Sequence, residues 1–141
     1  MVAGISFGFA EAISNVLAGV AIKYIKDTHT LFGCFGLSFI CQTVFFFSGG
    51  NEGGTVAFVA LFINMLGIGG AFVVIFFMVD QRIPSEKSGS AMVIVITASF
   101  IYSSVAPFVA YAEQPTPYIT GMILLILSII FTFQVSTAPA K

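Results

Sequence analysis

Glu11 is the residue from which chemistry is first expected, because it is the only charged group ahead of Lys23 in a long apolar run. A carboxylate in such a run can hold a cation, carry a proton, or act in its protonated form as a structural hydrogen-bond donor. Asn15 follows one helical turn later, on the same face. Further along, Asn64 and Gln42 are isolated amides, and Ser99, Phe100, Tyr102 and Ser103 form a small polar and aromatic group. The two rings could offer a cation–π face or simply pack. His29 is the only histidine, so neither a metal cluster nor a buried nucleophile–base pair can be assembled around it. H-E-x-x-H, G-x-S-x-G and Walker A patterns are all missing, so no enzyme and no cofactor are expected.

Composition sets the medium in which these groups must work. The chain is 58% hydrophobic and only 8% charged, with a mean hydropathy of +1.07. A soluble domain of 141 residues needs a charged surface that this chain cannot supply, so an integral membrane protein is expected. Glu11 then costs on the order of 3 kcal/mol near mid-bilayer, so it should face a cavity, a partner or a solute path. A net charge of −1 offers no basic patch, and no nucleic-acid partner is expected. Cys34 and Cys41 are seven apart in one apolar stretch, ~10 Å along a helix and too far for a disulfide. They are expected to pack as free thiols.

Five stretches are long and apolar enough to span a bilayer: about 2–25, 31–48, 55–79, 90–111 and 118–136. The expected fold is therefore an all-α polytopic bundle of five spans in a single domain, 1–141. The segment 80–89 separates two uncharged blocks and holds four of the chain's eleven acidic and basic residues, Asp80, Arg82, Glu86 and Lys87. It is expected to be a loop. Lys23 and Lys26 beside Asp27 mark the first turn, whereas the second and fourth turns carry only Glu52 and Glu113. Basic residues in alternate turns place the first and third turns and Lys141 in the cytoplasm. The N-terminus then falls outside, and the chain is expected to be a C-terminal fragment or truncated product of a longer protein.

Small and polar residues line faces within the stretches. Gly4, Gly8, Glu11, Asn15 and Gly19 share one face of the first, Cys34, Ser38 and Gln42 one of the second, and Asn64, Gly67 and Ala71 one of the third. Such faces serve helix–helix packing. Pro107 is expected to kink the fourth helix. The fifth is the most apolar, with Gly121, Ser128 and Thr132 as minor relief, and reads as peripheral and facing mostly lipid.

The order of these features resembles the last five helices of a twelve-helix major facilitator superfamily transporter, in its organic cation and anion branch. Phe9-Ala10-Glu11-Ala12-Ile13-Ser14 sits where that branch has a Glu early in its eighth helix. Segment 80–89 lies where it has an acidic residue, Tyr-Pro-Thr and an Arg. Ala98-Ser99 and Val105-Ala106-Pro107-Phe108 follow, and Pro117-Tyr118-Ile119 leads into the last helix. Lys26-Asp27-Thr28-His29 stands where the family carries a Gly-Arg-Arg type motif, and Phe100 where relatives often place a charge.

The resemblance implies secondary transport of a small organic solute by alternating access, with the missing N-terminal helices supplying the other half. Glu11, Asn15, Asn64, Ser99, Phe100 and Ser103 would line the cavity. Lys26, Asp27, Asp80, Arg82, Glu86 and Lys87 would form a cytoplasmic gate. Expected partners are the lipid bilayer, the solute and a coupling proton or ion. The rival expectation is a non-transporting assembly or regulatory subunit that docks through its small-residue faces.

Overall fold

The computed structural model describes the backbone of residues 2–49, 54–110 and 116–137, and the side chains of residues 8–49, 54–97, 119–130, 132 and 133. Five α-helices follow in order: α1 (Val2–Tyr24), α2 (Asp27–Phe47), α3 (Gly54–Arg82), α4 (Ser85–Ala110) and α5 (Thr116–Thr137). The all-α architecture is as expected, with one helix over each apolar stretch and no strand among the described residues.

The expected loop at 80–89 is not one. Helix α3 runs through Arg82 and α4 starts at Ser85, so only Ile83 and Pro84 connect them. Pro84 disfavours helical geometry at Ile83, which ends α3. Its carbonyl then accepts from the amides of Lys87 (2.8 Å) and Ser88 (3.0 Å), which starts α4. The charged residues thus extend helices beyond their apolar portions. At 29 residues, α3 is about 43 Å long against a hydrocarbon core of about 30 Å. The turn expected over 26–30 shortens likewise, because α2 already begins at Asp27. Helix α4 runs unbroken through Pro107.

Helix α3 is central and packs along both α1 and α2, while α5 lies against α2; α4 touches its neighbours sparsely among the described residues. The reason lies in one seam of α3. Ala57, Ala60, Asn64, Gly67, Ala71, Val74 and Met78 are all buried, at alternating steps of three and four. That spacing keeps one face toward a neighbouring helix along the whole length. The side chains there are small, so the backbones approach closely and dispersion contacts hold them. A Cβ on Gly67 would meet the Ser38 hydroxyl and stand 2.7 Å from the Cys34 carbonyl oxygen, and one on Gly70 would lie 3.0 Å from Cys34 Sγ.

On α1 the packed face is Ala10, Ser14 and Ala18, all buried, with Ser14 and Glu11 against Gly69 of α3. Of the face singled out by sequence, Gly8 and Gly19 have open space beside them, while Glu11 borders α3. Larger residues close the seam at its basic end, where Ala18, Leu31, Ala71, Val74 and Met78 form the buried cluster.

Helix α5 is less peripheral than expected on one side. Leu125 and Thr132 are buried, and a Cβ on Gly121 would lie 2.7 Å from the Gln42 side-chain oxygen. Gly121 and Thr132, read as minor relief, thus belong to its packing face, while Ile123, Leu127 and Ile130 stay exposed.

The tight seam makes Gly67 intolerant of a side chain. Gly67→Ala forces a shift against the α2 backbone and should lower stability by about 1–3 kcal/mol. Gly36→Ala meets nothing within 4 Å and should be neutral or slightly stabilising, through the better helix propensity of Ala. Unfolding midpoints of the two variants in lipid bicelles, followed by circular dichroism, check this; equal midpoints would contradict the close approach.

Candidate functional site

Two groups of chemistry-bearing residues emerge, one on α1 and one at the basic end of α2 and α3. Glu11 and Asn15 are both exposed on α1, Glu11 at the margin of its contact with α3. The stem of Glu11 borders Gly69 and its backbone carbonyl accepts from Ser14 Oγ at 2.8 Å. Its carboxylate has no partner among the described residues. A carboxylate and an amide one turn apart therefore face outward from an otherwise apolar helix, beside exposed Phe9, Val16 and Leu17.

Asn64 does not share that open face. It is buried in the α2–α3 seam, where its backbone carbonyl accepts a long hydrogen bond from Ser38 Oγ at 3.4 Å. Its side-chain Oδ1 is buried without a hydrogen-bond partner, which costs about 1–3 kcal/mol relative to a satisfied acceptor. Ser99, Phe100 and Ser103 lie on α4, but their side chains are outside the described residues.

At the other site, Arg82 Nη2 donates to Asp27 Oδ2 at 2.6 Å, joining the end of α3 to the start of α2. The second oxygen of Asp27 accepts from the Thr28 amide at 2.7 Å, so two donors on different helices fix the carboxylate. Lys26, Asp80, Glu86 and Lys87 are exposed, and no ion pair joins any of them among the described residues. The six residues expected to act together at this end thus resolve into one bonded pair and four solvated charges. Neither residue's sequence neighbourhood identifies that pairing, which links positions 55 apart.

A cleft of about 770 Å³ opens beside Arg82, between α2, α3 and α5, lined mainly by apolar side chains including Leu31, Phe35, Met78 and Leu127. A second groove, of about 490 Å³, lies between α2 and α3 toward their other ends and is apolar apart from Thr55. Sequence reasoning found neither, because each is assembled from residues that read individually as lipid-facing. Among the described residues no three His, Cys, Asp or Glu side chains group to hold a metal ion.

No protein-family model, curated protein or solved structure matches the chain.

The Asp27/Arg82 pair is partly exposed, at 18% and 39% of its side chains, so screening limits its worth. A double-mutant cycle with Asp27→Asn and Arg82→Gln should give a coupling of about 1 kcal/mol or less, shrinking as salt is raised. A coupling indistinguishable from zero at low salt would show that the contact contributes nothing.

Proposed function

We propose that this chain is a membrane-spanning part of a facilitator-type secondary transporter, forming one wall of a central path for a small organic solute. The observation that carries the reading is the outward face of α1, where Glu11 and Asn15 stand unpaired by any described residue. Such a carboxylate calls for a cavity, a partner helix or a solute opposite it. The membrane setting has its own support. Helices α2 and α3 are long and apolar enough to cross a bilayer, and only 22% and 39% of their most apolar windows are buried. A core helix of a soluble protein would be mostly covered.

In this reading Glu11 binds the cationic group of a solute or carries a coupling proton, and Asn15 orients the same ligand. The ion pair of Asp27 and Arg82 ties the basic ends of α2 and α3, and it belongs to the cytoplasmic gate with Lys26, Asp80, Glu86 and Lys87 around it. Alternating access proceeds by rocking of two helical halves around the midplane site, this chain contributing to one half.

The docking-subunit reading has one observation of its own. Gly8 and Gly19 on α1, and Gly33 and Gly36 on α2, have nothing within 4 Å, so small-residue surfaces remain free for another helix. Glu11 separates the two, since docking does not require a carboxylate.

Topology is checked with single cysteines in a background lacking Cys34 and Cys41. An impermeant thiol reagent should label a cysteine at Asn51 from outside, and one at Ser85 only after permeabilisation. Exterior labelling at Ser85 overturns the assigned orientation.

Transport is checked at Glu11. In the twelve-helix protein this reading implies, Glu11→Gln should keep expression and lower uptake of a cationic or proton-coupled solute at least tenfold, roughly 1.4 kcal/mol. Equal uptake by the two forms leaves the carboxylate a packing role and favours docking.

A further inference from the structure

We propose that the cleft between α2, α3 and α5 is a binding site for one anionic phospholipid, its acyl chain inside and its phosphate against Arg82. The cleft volume of about 770 Å³ falls within the range of about 300–1,000 Å³ typical of sites for small organic ligands. Its lining excludes a polar ligand. Ser128 Oγ donates to the Leu124 carbonyl at 2.8 Å, and Thr132 Oγ1 to the Ser128 carbonyl at 2.8 Å. Both hydroxyl protons are therefore engaged within α5, and the interior offers alkyl chains the contact they need. Leu31, Phe35, Met78 and Leu127 supply most of it.

Arg82 breaks this uniformity. It lines the cleft with its side chain 39% exposed, and its bond to Asp27 engages one of the five N–H donors of a guanidinium. The remaining fork suits phosphate oxygens. The position is also the one where anionic headgroups lie, since basic pockets between spanning helices on the cytoplasmic side bind such lipids. The cleft is open to the surroundings, since Leu124, Leu127 and Ile130 of its lining are exposed. A ligand arriving through an apolar rim comes from the bilayer rather than from water. The site rests on the chain's residence in a membrane with Arg82 at the headgroup level, and is independent of transport.

The test uses the full chain in phosphatidylcholine vesicles with a trace of photoactivatable lipid. The probe carries a diazirine at its acyl end and either a phosphatidylglycerol or a phosphatidylcholine head, and crosslinked peptides are mapped by mass spectrometry. Peptides containing Phe35, Met78 and Leu127 should be labelled about fivefold more by the glycerol probe, the preference one basic group confers at an anionic headgroup. Arg82→Gln should reduce that preference to within about twofold while tail labelling persists. Asp27→Asn, which also breaks the ion pair but leaves Arg82 free, should keep or increase it. Leu127→Trp should suppress labelling in the cleft and leave that of the Val44 and Val56 groove unchanged.

Equal labelling by the two probes overturns the site, as does loss of preference in Asp27→Asn as well as Arg82→Gln. Absence of labelling with either probe means that another helix covers the cleft, which also overturns it. A chain released from the vesicles by alkaline carbonate defeats the membrane reading itself, whereas a retained chain without headgroup preference defeats only the lipid site.

Discussion

Backbone contact between α3 and its two neighbours governs the remainder of the structure. It is possible because Gly67, Gly69 and Gly70 present no side chain where α2 and α1 cross, and because the buried positions of α3 recur at alternating steps of three and four. Small residues remove little apolar area from their surroundings, so this seam depends on proximity rather than on the size of what it buries. Proximity has a consequence for polar groups. The Ser38 hydroxyl reaches the backbone carbonyl of Asn64, and the Asn64 side-chain oxygen is left buried with no donor. The same approach of α2 to α3 brings Asp27 within reach of Arg82.

That ion pair is supported by the helices that bear it. Asp27 opens α2 and Arg82 closes α3, so the carboxylate meets the positive end of its own helix and the guanidinium the negative end of its own. Each charge is favourable where it stands before the two meet, and the Thr28 amide further restrains the carboxylate. The pair therefore needs little reorganisation to form. Its partial exposure keeps its energetic worth small, and its value lies in fixing which helix ends are neighbours.

The five helices were legible because apolar length is a strong signal, and each observed helix overlies its expected stretch. Their ends were less so, for hydropathy marks where the apolar surface stops rather than where the hydrogen-bonded helix does. Asp80, Gln81 and Arg82 remain helical although charged or polar, and Pro84 is the residue whose chemistry ends one helix and begins the next. The face of α1 that packs on α3 was not singled out, for a related reason. Ala10, Ser14 and Ala18 are scarcely larger than Gly8 and Gly19, so size and period alone could not choose between two small-residue faces. Gly121 and Gln42 meet across a separation no local pattern records, and the cleft beside Arg82 exists only once three helices are placed.

The connection through Ile83 and Pro84 has a mechanical meaning. Three peptide steps separate the α-carbons of Arg82 and Ser85, so they can never stand more than about 11 Å apart, and the proline ring fixes one of the dihedrals between them. Helix α4 is thus tethered to α3 at this point. Its first turn adjoins the last turn of α3, which carries the guanidinium of Arg82. Any displacement of its far end is delivered as torque on the last turn of α3, where the bond to Asp27 resists it.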